Sequence, residues 1–590
     1  MALVDKRDHT PTISSQSLLK TFPLHESWHE MRLSFIPTPW KWRPREWLTK
    51  QYWFLETADA TFADKKGFSN ADVDVVPPEL RTWNWFNFMS LWIADGGNIG
   101  TMQISGSIMS LGLDVRQAIV VLVIGNCLNG VFTALQGYMG SRYHIPFTIA
   151  TRASHGFWFS YFAVVSRLIL AFFYFGSNTY LVAQCTQIMI GAIWPSFLNI
   201  PNHIPASVGI TSGLMVAFLI GWLIQFPLLM IHPRKMRWLF FVKSVMAVGG
   251  TLAMVGWGVT EAGGGGPVFA QKGMLEGQTL AMAYVAGIVL TTNSRLTLAI
   301  NIPDMSRYAK RPAETWWQAI IIPIVYIFFG ICGILIASTS QIIYGSIIWS
   351  PLLIIPRWGS RAARFFIAFA FMITTIGTNI ASNSVAAAND MTFCLPKYIN
   401  LKRGAFIVSV LGAWAIQPWQ IQKNAATLSA FLGGYTVVLG PLLGIMVTDF
   451  WLVHRGRLDV PSLYRVRGIY RYQKGVNWRA VVAYAVAVPI NLPGLGHAVN
   501  NNIALPSAYI NFYTANWFTG IAIASSIYMI CCLVSPPTAT LLDAPIETDD
   551  LLPRQTVVEE LVIGGGAGKA EEDVDDGKKP YTAVYVHSVD

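Results

Sequence analysis

Charge is scarce in this sequence. Only 13% of its 590 residues are Asp, Glu, Lys or Arg, whereas soluble globular domains carry about 25%. Hydrophobic residues make up 53% of the chain. This balance excludes an ordinary soluble protein and predicts a chain that crosses a lipid bilayer several times. The formal net charge of +10 lies in short loops and tails, so we expect no nucleic-acid partner.

Cysteine is also rare, and the motifs of common enzyme sites are missing from the sequence. The six cysteines lie in or beside apolar runs and show no CxxC or Cys/His spacing typical of zinc. The glycine-rich stretches lack the Lys-Ser/Thr pair of a P-loop, so an ATP-driven pump is not expected. No catalytic triad stands out. We therefore expect neither an enzyme nor a bound cofactor.

Long apolar runs are what the sequence does contain. A helix that crosses the hydrocarbon core needs about 20 residues, and by this rule we find about twelve such segments. The sequence therefore predicts an all-α integral membrane protein with about twelve transmembrane helices. The predicted segments are 85–111, 118–139, 161–192, 208–231, 237–259, 280–302, 316–338, 363–388, 405–421, 426–453, 480–495 and 514–535.

Lys and Arg are concentrated in alternate loops, with residues 357–364 as an exception. Because basic loops face the cytoplasm, we predict that both termini are cytoplasmic. Residues 1–80 are predicted to form an N-terminal tail, 81–536 the helical domain, and 537–590 an acidic, largely disordered C-terminal tail. The N-terminal stretch has no apolar core of a signal peptide, so no cleaved leader is expected. The basic loops contain Arg142 and Arg152, Arg234 to Arg237, Arg307 to Arg311, Lys397 to Arg403, and Arg455 to Arg479.

The first apolar segment is interrupted by the sequence ADGGNIG. Gly96, Gly97 and Gly100 weaken a helix by about 1 kcal/mol each, and Asp95 and Asn98 add polarity. Unwound backbone inside a bilayer survives where it lines a cavity or packs on protein, as in the broken helices of transporters. We predict a broken helix that presents carbonyl groups to a ligand or cation. The alternative is tight helix packing by small residues.

Two residues of the third segment, Tyr174 and Asn178, are four positions apart and so share one helix face. An aromatic ring beside an amide suits a flat heterocycle, because the ring can stack and the amide can form paired hydrogen bonds. The pattern therefore indicates a candidate substrate site. The alternative is that the two side chains only pack in the core.

The eighth segment is unusually polar. Asn379 and Asn383 share a face, and the nearby hydroxyl groups are suited to completing a cation site against the break in the first segment. The alternative is hydrogen bonding between helices, at about 1 kcal/mol for each bond. The polar side chains of this segment are Thr374, Thr375, Thr378, Asn379, Ser382 and Asn383.

Two basic residues lie inside apolar segments. Lys243, about a turn and a half into the fifth segment, either extends its amine to the cytoplasm or faces a cavity. Arg295 lies deeper and requires a partner, for which Asp95 and Asp304 are candidates. Asp304 is also placed to pair with Arg307, which would leave Arg295 without it.

Five stretches of the chain resemble a known family. They are RTWNWFNFMSLWIAD with the following NIGT, YHIPFTIATRASHGFWFSYFAVVSR, NIPDMSRYAK, GTNIASNSVAAANDMTFCLPKYINLKRGAF and GIYRYQKGVNWRAVVAY. Together they are similar to the fungal uracil/allantoin permease branch of the nucleobase–cation symporters. The resemblance covers roughly residues 75–540.

This resemblance implies a LeuT-like fold, with an inverted repeat of five plus five helices and two further C-terminal helices. It implies uptake of a nucleobase or related heterocycle driven by H⁺ or Na⁺, and similar fungal members use protons. By position, the stacking aromatic falls on Tyr174, its amide partner on Asn178, the second amide on Asn383 and a motif lysine on Lys243. The cation-site equivalents are Gly96, Ile99, Gly377 and Thr378.

The chain departs from the family pattern at two site positions. Uracil and allantoin permeases of this branch typically have Trp and Gln where this chain has Tyr174 and Asn178. The YFGSN sequence here is more similar to the thiamine and nicotinamide-riboside permeases. We expect a plasma-membrane proton symporter for uracil or allantoin. The alternatives are a thiamine or nicotinamide-riboside permease, a passive facilitator, or a nutrient sensor that does not transport.

The predicted substrate-binding residues are Tyr174, Asn178, Lys243, Asn383, Asp95 and Asn98. Lys243 either helps to fix a carbonyl of the substrate or couples the proton.

The tails suggest one kind of protein partner. Lys6, Lys20 and the acidic C-terminus are suited to ubiquitin-dependent turnover, as in similar permeases. The alternative is that both tails are only solvated and unstructured.

Overall fold

A computed structural model describes residues 62–63, 68–70, 72–230, 237–271, 273 and 275–547, with only the backbone of 237–240. The tail lysines Lys6 and Lys20 and the acidic run near the C-terminus lie outside these residues. Within the described part, regular structure is helical, and strand-type pairing is limited to isolated bridges.

The first half of the described chain contains both short and long helices. The helices are α1 (Trp85–Gly96), α2 (Ile99–Met109), α3 (Val115–Tyr143), α4 (Phe147–His155), α5 (Phe159–Ile193), α6 (Ser212–Leu229), α7 (Arg237–Glu261), α8 (Gly265–Ala270), α9 (Gly277–Asn293), α10 (Leu296–Asn301) and α11 (Pro303–Ser306).

The second half continues the bundle and contains π-helical turns at Asn379–Ser384, Leu411–Ala415 and Asp449–Val453. Its helices are α12 (Gln318–Tyr344), α13 (Pro351–Ile354), α14 (Arg361–Thr378), α15 (Val385–Cys394), α16 (Leu401–Val410), α17 (Pro418–Ile421), α18 (Ala425–Thr448), α19 (Val460–Tyr464), α20 (Trp478–Val499), α21 (Ser507–Thr514) and α22 (Asn516–Val534).

All twelve predicted apolar segments are helical in the described part of the chain. Nine helices there are long and apolar enough to cross a membrane. A tenth candidate is the pair formed by α9 and the segment Leu296–Ser306, which bends by 42° at the break between them. The first and ninth predicted segments are divided into shorter helical pieces, so length alone does not count them as spans.

Local sequence explains where several of these helices begin. The side chain of Asn84 accepts hydrogen bonds from the backbone at Phe86 and Asn87, which caps α1. Asp114 and Gln117 form a reciprocal capping box at the start of α3. Such caps satisfy backbone N–H groups that have no partner within the helix. The boundaries of these helices therefore follow from short-range chemistry.

Long helices pack against the broken ones. Helix α12 packs on both α2 and α3, and α14 packs on α5 and α7. The contact between α2 and α12 is close, because a Cβ at Gly333 would lie 2.7 Å from the carbonyl oxygen of Met102.

Helix breaks lie in the first and sixth predicted segments. A spacing of five segments is what an inverted repeat of five plus five helices predicts.

Candidate functional site

The predicted break in the first segment is confirmed. Helix α1 ends at Gly96, and α2 begins at Ile99. Asn98 between them has extended backbone, and its side-chain oxygen accepts a hydrogen bond from the Thr101 N–H at 3.1 Å. Its amide nitrogen donates to the Asp95 carbonyl. Asn98 is therefore the N-cap of the second half-helix, a role that the sequence interpretation did not assign to it.

The carboxylate of Asp95 is buried and held by two hydroxyl groups. Tyr326 of α12 donates to one carboxylate oxygen, and Ser382 of the π-helical turn donates to the other. Asp95 thus connects the first segment to both the seventh and the eighth. Both of its oxygens already have donors from the protein.

A second break, which the sequence interpretation missed, places Arg295 beside the first. Ser294 and Arg295 separate α9 from α10. The guanidinium Nη2 donates to the Thr101 hydroxyl at 2.7 Å, and the Cζ lies 4.1 Å from the Tyr326 ring centroid. No carboxylate of the described residues forms an ion pair with Arg295. It is connected to the Asp95 carboxylate through the Tyr326 side chain.

Tyr174 and Asn178 lie on the same wall of α5, as their spacing predicts. The Tyr174 hydroxyl is hydrogen-bonded to that of Tyr435, which donates to the Asn293 carbonyl. The two tyrosine rings meet edge to face, with centroids 5.8 Å apart. Asn178 donates to the Tyr174 carbonyl at 3.1 Å. Its side-chain oxygen has no hydrogen-bond partner among the described residues.

The eighth segment changes from α- to π-helix at the site. The wider turn spans Asn379–Ser384, and such turns are frequent at functional sites. Asn379 is fully buried, and its amide nitrogen lies 3.0 Å from the Gln225 oxygen and 3.1 Å from the Phe175 carbonyl oxygen. Asn383 donates to Asn379 at 2.9 Å. Asn379 therefore joins helices, whereas Asn383 lies at the cavity.

Lys243 is buried and does not extend to the cytoplasm. Its Nζ donates to the Thr378 hydroxyl at 2.7 Å. Gly377 provides the space for this side chain, because a Cβ there would lie 2.6 Å from the Lys243 Cδ. The Thr378 hydroxyl also lies 3.4 Å from the Ala94 carbonyl oxygen. The lysine amine thus lies between the fifth and eighth segments and close to the first.

These elements enclose one central cavity, which reaches both helix breaks. Among the predicted site residues, Asp95, Asn98, Tyr174, Asn178, Thr378 and Asn383 line it. The structure places Lys243, Gly96, Ile99 and Gly377 outside the lining. Gly96 instead packs against α12, where an added Cβ would lie 2.8 Å from Val325, and Ile99 is fully buried.

The sequence interpretation missed several polar residues of the cavity wall. Gln422, beyond the end of α17, donates to the Ser177 hydroxyl at 2.6 Å. Gln103 of α2 donates to Ser350 at 2.9 Å. Neither glutamine has a second amide residue three or four positions away in the sequence, so no pair of amides at helical spacing indicates a site there.

The fold and its cavity define a multi-pass membrane transporter, and comparison with known proteins identifies the family. Residues 75–520 match the family described as permeases for cytosine/purines, uracil, thiamine and allantoin. The chain belongs to this family of permeases, so it is not an enzyme, and the resemblance inferred from the sequence is confirmed.

Curated relatives agree with this assignment, and a solved structure shows a similar fold. An uncharacterized permease of Schizosaccharomyces pombe is 34% identical over 497 residues, covering 84% of this chain and 88% of the relative. The allantoin permease of Saccharomyces cerevisiae is 31% identical, covering 80% and 76%. The structure of Mhp1, a nucleobase-cation-symport-1 family transporter with bromovinylhydantoin bound, superposes with a TM-score of 0.65 at 23% identity, covering 82% and 100%. The predicted LeuT-like fold is thereby confirmed.

Proposed function

We propose that this chain is a proton-coupled secondary transporter that imports a nucleobase or related heterocycle, with uracil or allantoin favoured. One observation carries the proposal: an aromatic ring and two side-chain amides meet at a cavity between two broken helices. Flat rings with polar edges match this set of groups. Transporters of this general design bind their substrates near the bilayer midplane.

Tyr174, Asn178 and Asn383 have separate roles in this proposal. The Tyr174 ring offers its face to the heterocycle, while its hydroxyl is occupied by Tyr435. Asn178 keeps its side-chain oxygen available, and the Asn383 amide is oriented by Asn379. Asp95 and Asn98, at the break in the first segment, line the same cavity as the Tyr174 ring. Because Tyr174 and Asn178 stand where uracil and allantoin permeases typically have Trp and Gln, thiamine and nicotinamide riboside are the alternative substrates.

Lys243 is proposed as the proton-carrying group. Its amine donates to Thr378, and its stem packs against Gly377. The family resemblance assigns these two residues to a cation site, together with Gly96 and Ile99. A protonated lysine there supplies the positive charge that a metal ion would otherwise provide. Because Thr378 lines the cavity, the charge is one side chain from the substrate. Binding of both partners would then favour the inward rocking of the bundle.

The proposal includes a location. We place the transporter in the plasma membrane with both termini in the cytoplasm, on the basis of the basic loops. Within this proposal, residues 81–536 form the transport domain, and the tails contain sites for ubiquitin-dependent turnover. Unchanged surface lifetime after removal of residues 545–590 would contradict the C-terminal part of this idea.

Radiolabelled uptake in yeast that lacks its own permeases tests the function. The substrates are uracil, allantoin, uridine, thiamine and nicotinamide riboside, each with and without a proton uncoupler. Uptake of uracil or allantoin that the uncoupler abolishes supports the proposal. Uptake of thiamine or the riboside alone would assign the altered pocket to those substrates. Uptake that the uncoupler does not change indicates a passive facilitator. If the protein reaches the surface but takes up none of the substrates, a nutrient sensor is favoured.

A further inference from the structure

The two charged residues that line the central cavity do not form an ion pair with each other. Asp95 and Arg295 are the formally charged residues of its lining. The two oxygens of Asp95 accept from the Tyr326 and Ser382 hydroxyls. Arg295 has the Thr101 hydroxyl and the Tyr326 ring face, but no carboxylate of the described residues. Its Nε is buried and has no acceptor among the described residues.

A guanidinium that forms no ion pair inside a membrane-spanning bundle is energetically unfavourable. The cation–π contact with Tyr326 offsets only part of this cost. A neutral ring in the cavity would displace water from Arg295 without supplying a negative charge. Lys243, behind Thr378, adds a second basic group against the single acid.

The chemistry of the guanidinium group specifies what would complete the site. Its planar donors match a carboxylate or a delocalised anion better than a lysine amine does. One donor is already fixed by Thr101, so the group is held in place before ligand binding. Tyr174, Asn178 and Asn383 remain available for the ring itself.

We infer that the substrate is an anionic heterocycle, and that Arg295 is the residue that binds its negative group. The inference rests on the proposed transport of a heterocycle, and it favours an ionised ring over uracil and allantoin, which are uncharged at neutral pH. The negative group is either a carboxylate attached to the ring or a ring nitrogen that is ionised at neutral pH. Arg295 then determines specificity between charged and neutral rings of the same shape.

Matched pairs of radiolabelled probes test this inference in the full-length protein in yeast without its own permeases. Uracil is compared with its 6-carboxylate, nicotinamide with nicotinate, and uric acid serves as the ring anion. We expect the wild type to take up a charged probe at least tenfold faster than the neutral one. Arg295→Gln is expected to lose this preference while still taking up the neutral ring, and Arg295→Lys should retain part of it.

The control is Arg357→Gln. Arg357 also lies over a tyrosine ring, 4.7 Å from the Tyr344 centroid, but it does not line the cavity. It should leave the ratio of charged to neutral uptake unchanged. Thermal stability of the purified wild type provides a measurement that needs no variant, and the charged probe should raise Tm more than its neutral analogue.

The outcomes separate this inference from the proposed function. If the wild type takes up only neutral rings, or if Arg295→Gln has the same charge preference as the wild type, the inference is wrong and the proposed function stands. If the wild type at the surface takes up no probe and no substrate of the first assay, the proposed function fails, and the inference fails with it.

Discussion

Asn379 and Asn383 lie one turn apart, yet their surroundings differ, and a pair of substitutions should separate their roles. Asn379→Ala would leave the buried Gln225 oxygen without a donor, at a cost of about 1–3 kcal/mol. We expect lower thermal stability and less protein at the surface. Asn383→Ala should change Tm little and lower uptake at least tenfold. If Asn383→Ala transports normally at full surface expression, the assignment of this site is wrong.

Gly377 permits Lys243 to reach Thr378, so adding one methyl group there tests the coupling proposal. In Gly377→Ala, the Cβ would lie 2.6 Å from Lys243 Cδ. Such overpacking typically costs about 1–3 kcal/mol. We expect the lysine to be displaced and uptake to fall strongly or to become insensitive to the uncoupler.

Gly250→Ala is the matched control for this substitution. Its Cβ would lie at an ordinary 3.5 Å from the Ala370 methyl group, in the same pair of helices. Uptake by this variant should remain within about twofold of the wild type, because an added methyl group at van der Waals distance changes the free energy of unfolding little. Equal uptake by both variants would remove Gly377 and Lys243 from the mechanism.

The candidate site could be predicted from the sequence where side chains repeat at helical spacing. Tyr174 and Asn178 are such a pair, and their common wall follows from the 3.6-residue period. Lys243 could be singled out, but not its direction, because Thr378 and the space at Gly377 come from another helix. Gln422 gave no signal at all, since only the folded chain brings it to Ser177.

At the scale of the helices, Asn98 has a structural role and a position in the candidate site. It caps α2, and it also lines the cavity where substrate contact was predicted. Asn98→Ser keeps a capping oxygen but loses the amide, whereas Asn98→Ala loses both. If Asn98 acts mainly as a cap, Asn98→Ser should retain most of the uptake. Asn98→Ala should lower the uptake and the Tm, because loss of the cap lowers the free energy of unfolding by about 1 kcal/mol.

Asn424→Ala provides the control for loss of a cap alone. Asn424 caps α18 by accepting from the Thr427 N–H at 2.8 Å, and it does not line the cavity. This variant should lower stability by a similar amount with little change in the rate of uptake by each surface molecule. Loss of uptake in Asn98→Ser at unchanged Tm would instead identify Asn98 as a substrate ligand.

The two helix breaks differ in how far sequence reveals them. Three glycines within five residues mark the first break, because glycine weakens a helix. The second, at Ser294 and Arg295, has no glycine or proline beside it. Its unwinding depends on contacts with the rest of the bundle, such as the bond from Arg295 to Thr101. Tertiary contacts of this kind leave no local pattern.

At the scale of the whole molecule, a C-terminal segment, residues 535–547, docks on the helical bundle. Arg142 pairs with Glu547 at 2.5 Å, and the Ile546 N–H donates to the Leu458 carbonyl at 3.0 Å. The imidazole of His454 lies 2.9 Å from the Thr540 hydroxyl. The sequence interpretation included this segment in a largely disordered tail, because its composition gives no indication of these long-range partners.

The stability of the folded protein should depend on pH through His454, which lies beside this segment. Burial disfavours the imidazolium, but the Asp449 carboxylate, 3.1 Å away, outweighs it and raises the pKa of His454 above its ordinary value of 6.5. A group whose pKa is raised by folding contributes stability that is complete below its unfolded pKa, and this contribution is lost as pH rises through the folded value. We therefore expect the free energy of unfolding to decrease as pH rises above about 6.5.

Thermal unfolding of the purified protein across a pH series measures this dependence. Tm of the wild type should fall as pH rises above about 6.5. In His454→Gln, Tm should be lower than in the wild type at low pH and should change less with pH, because the titrating group is gone. Glu547→Gln is the contrasting variant: it weakens the partly exposed contact with Arg142 and should lower Tm slightly while preserving the pH dependence. An unchanged pH profile in His454→Gln would show that the charge on the His454 imidazole does not stabilise the fold.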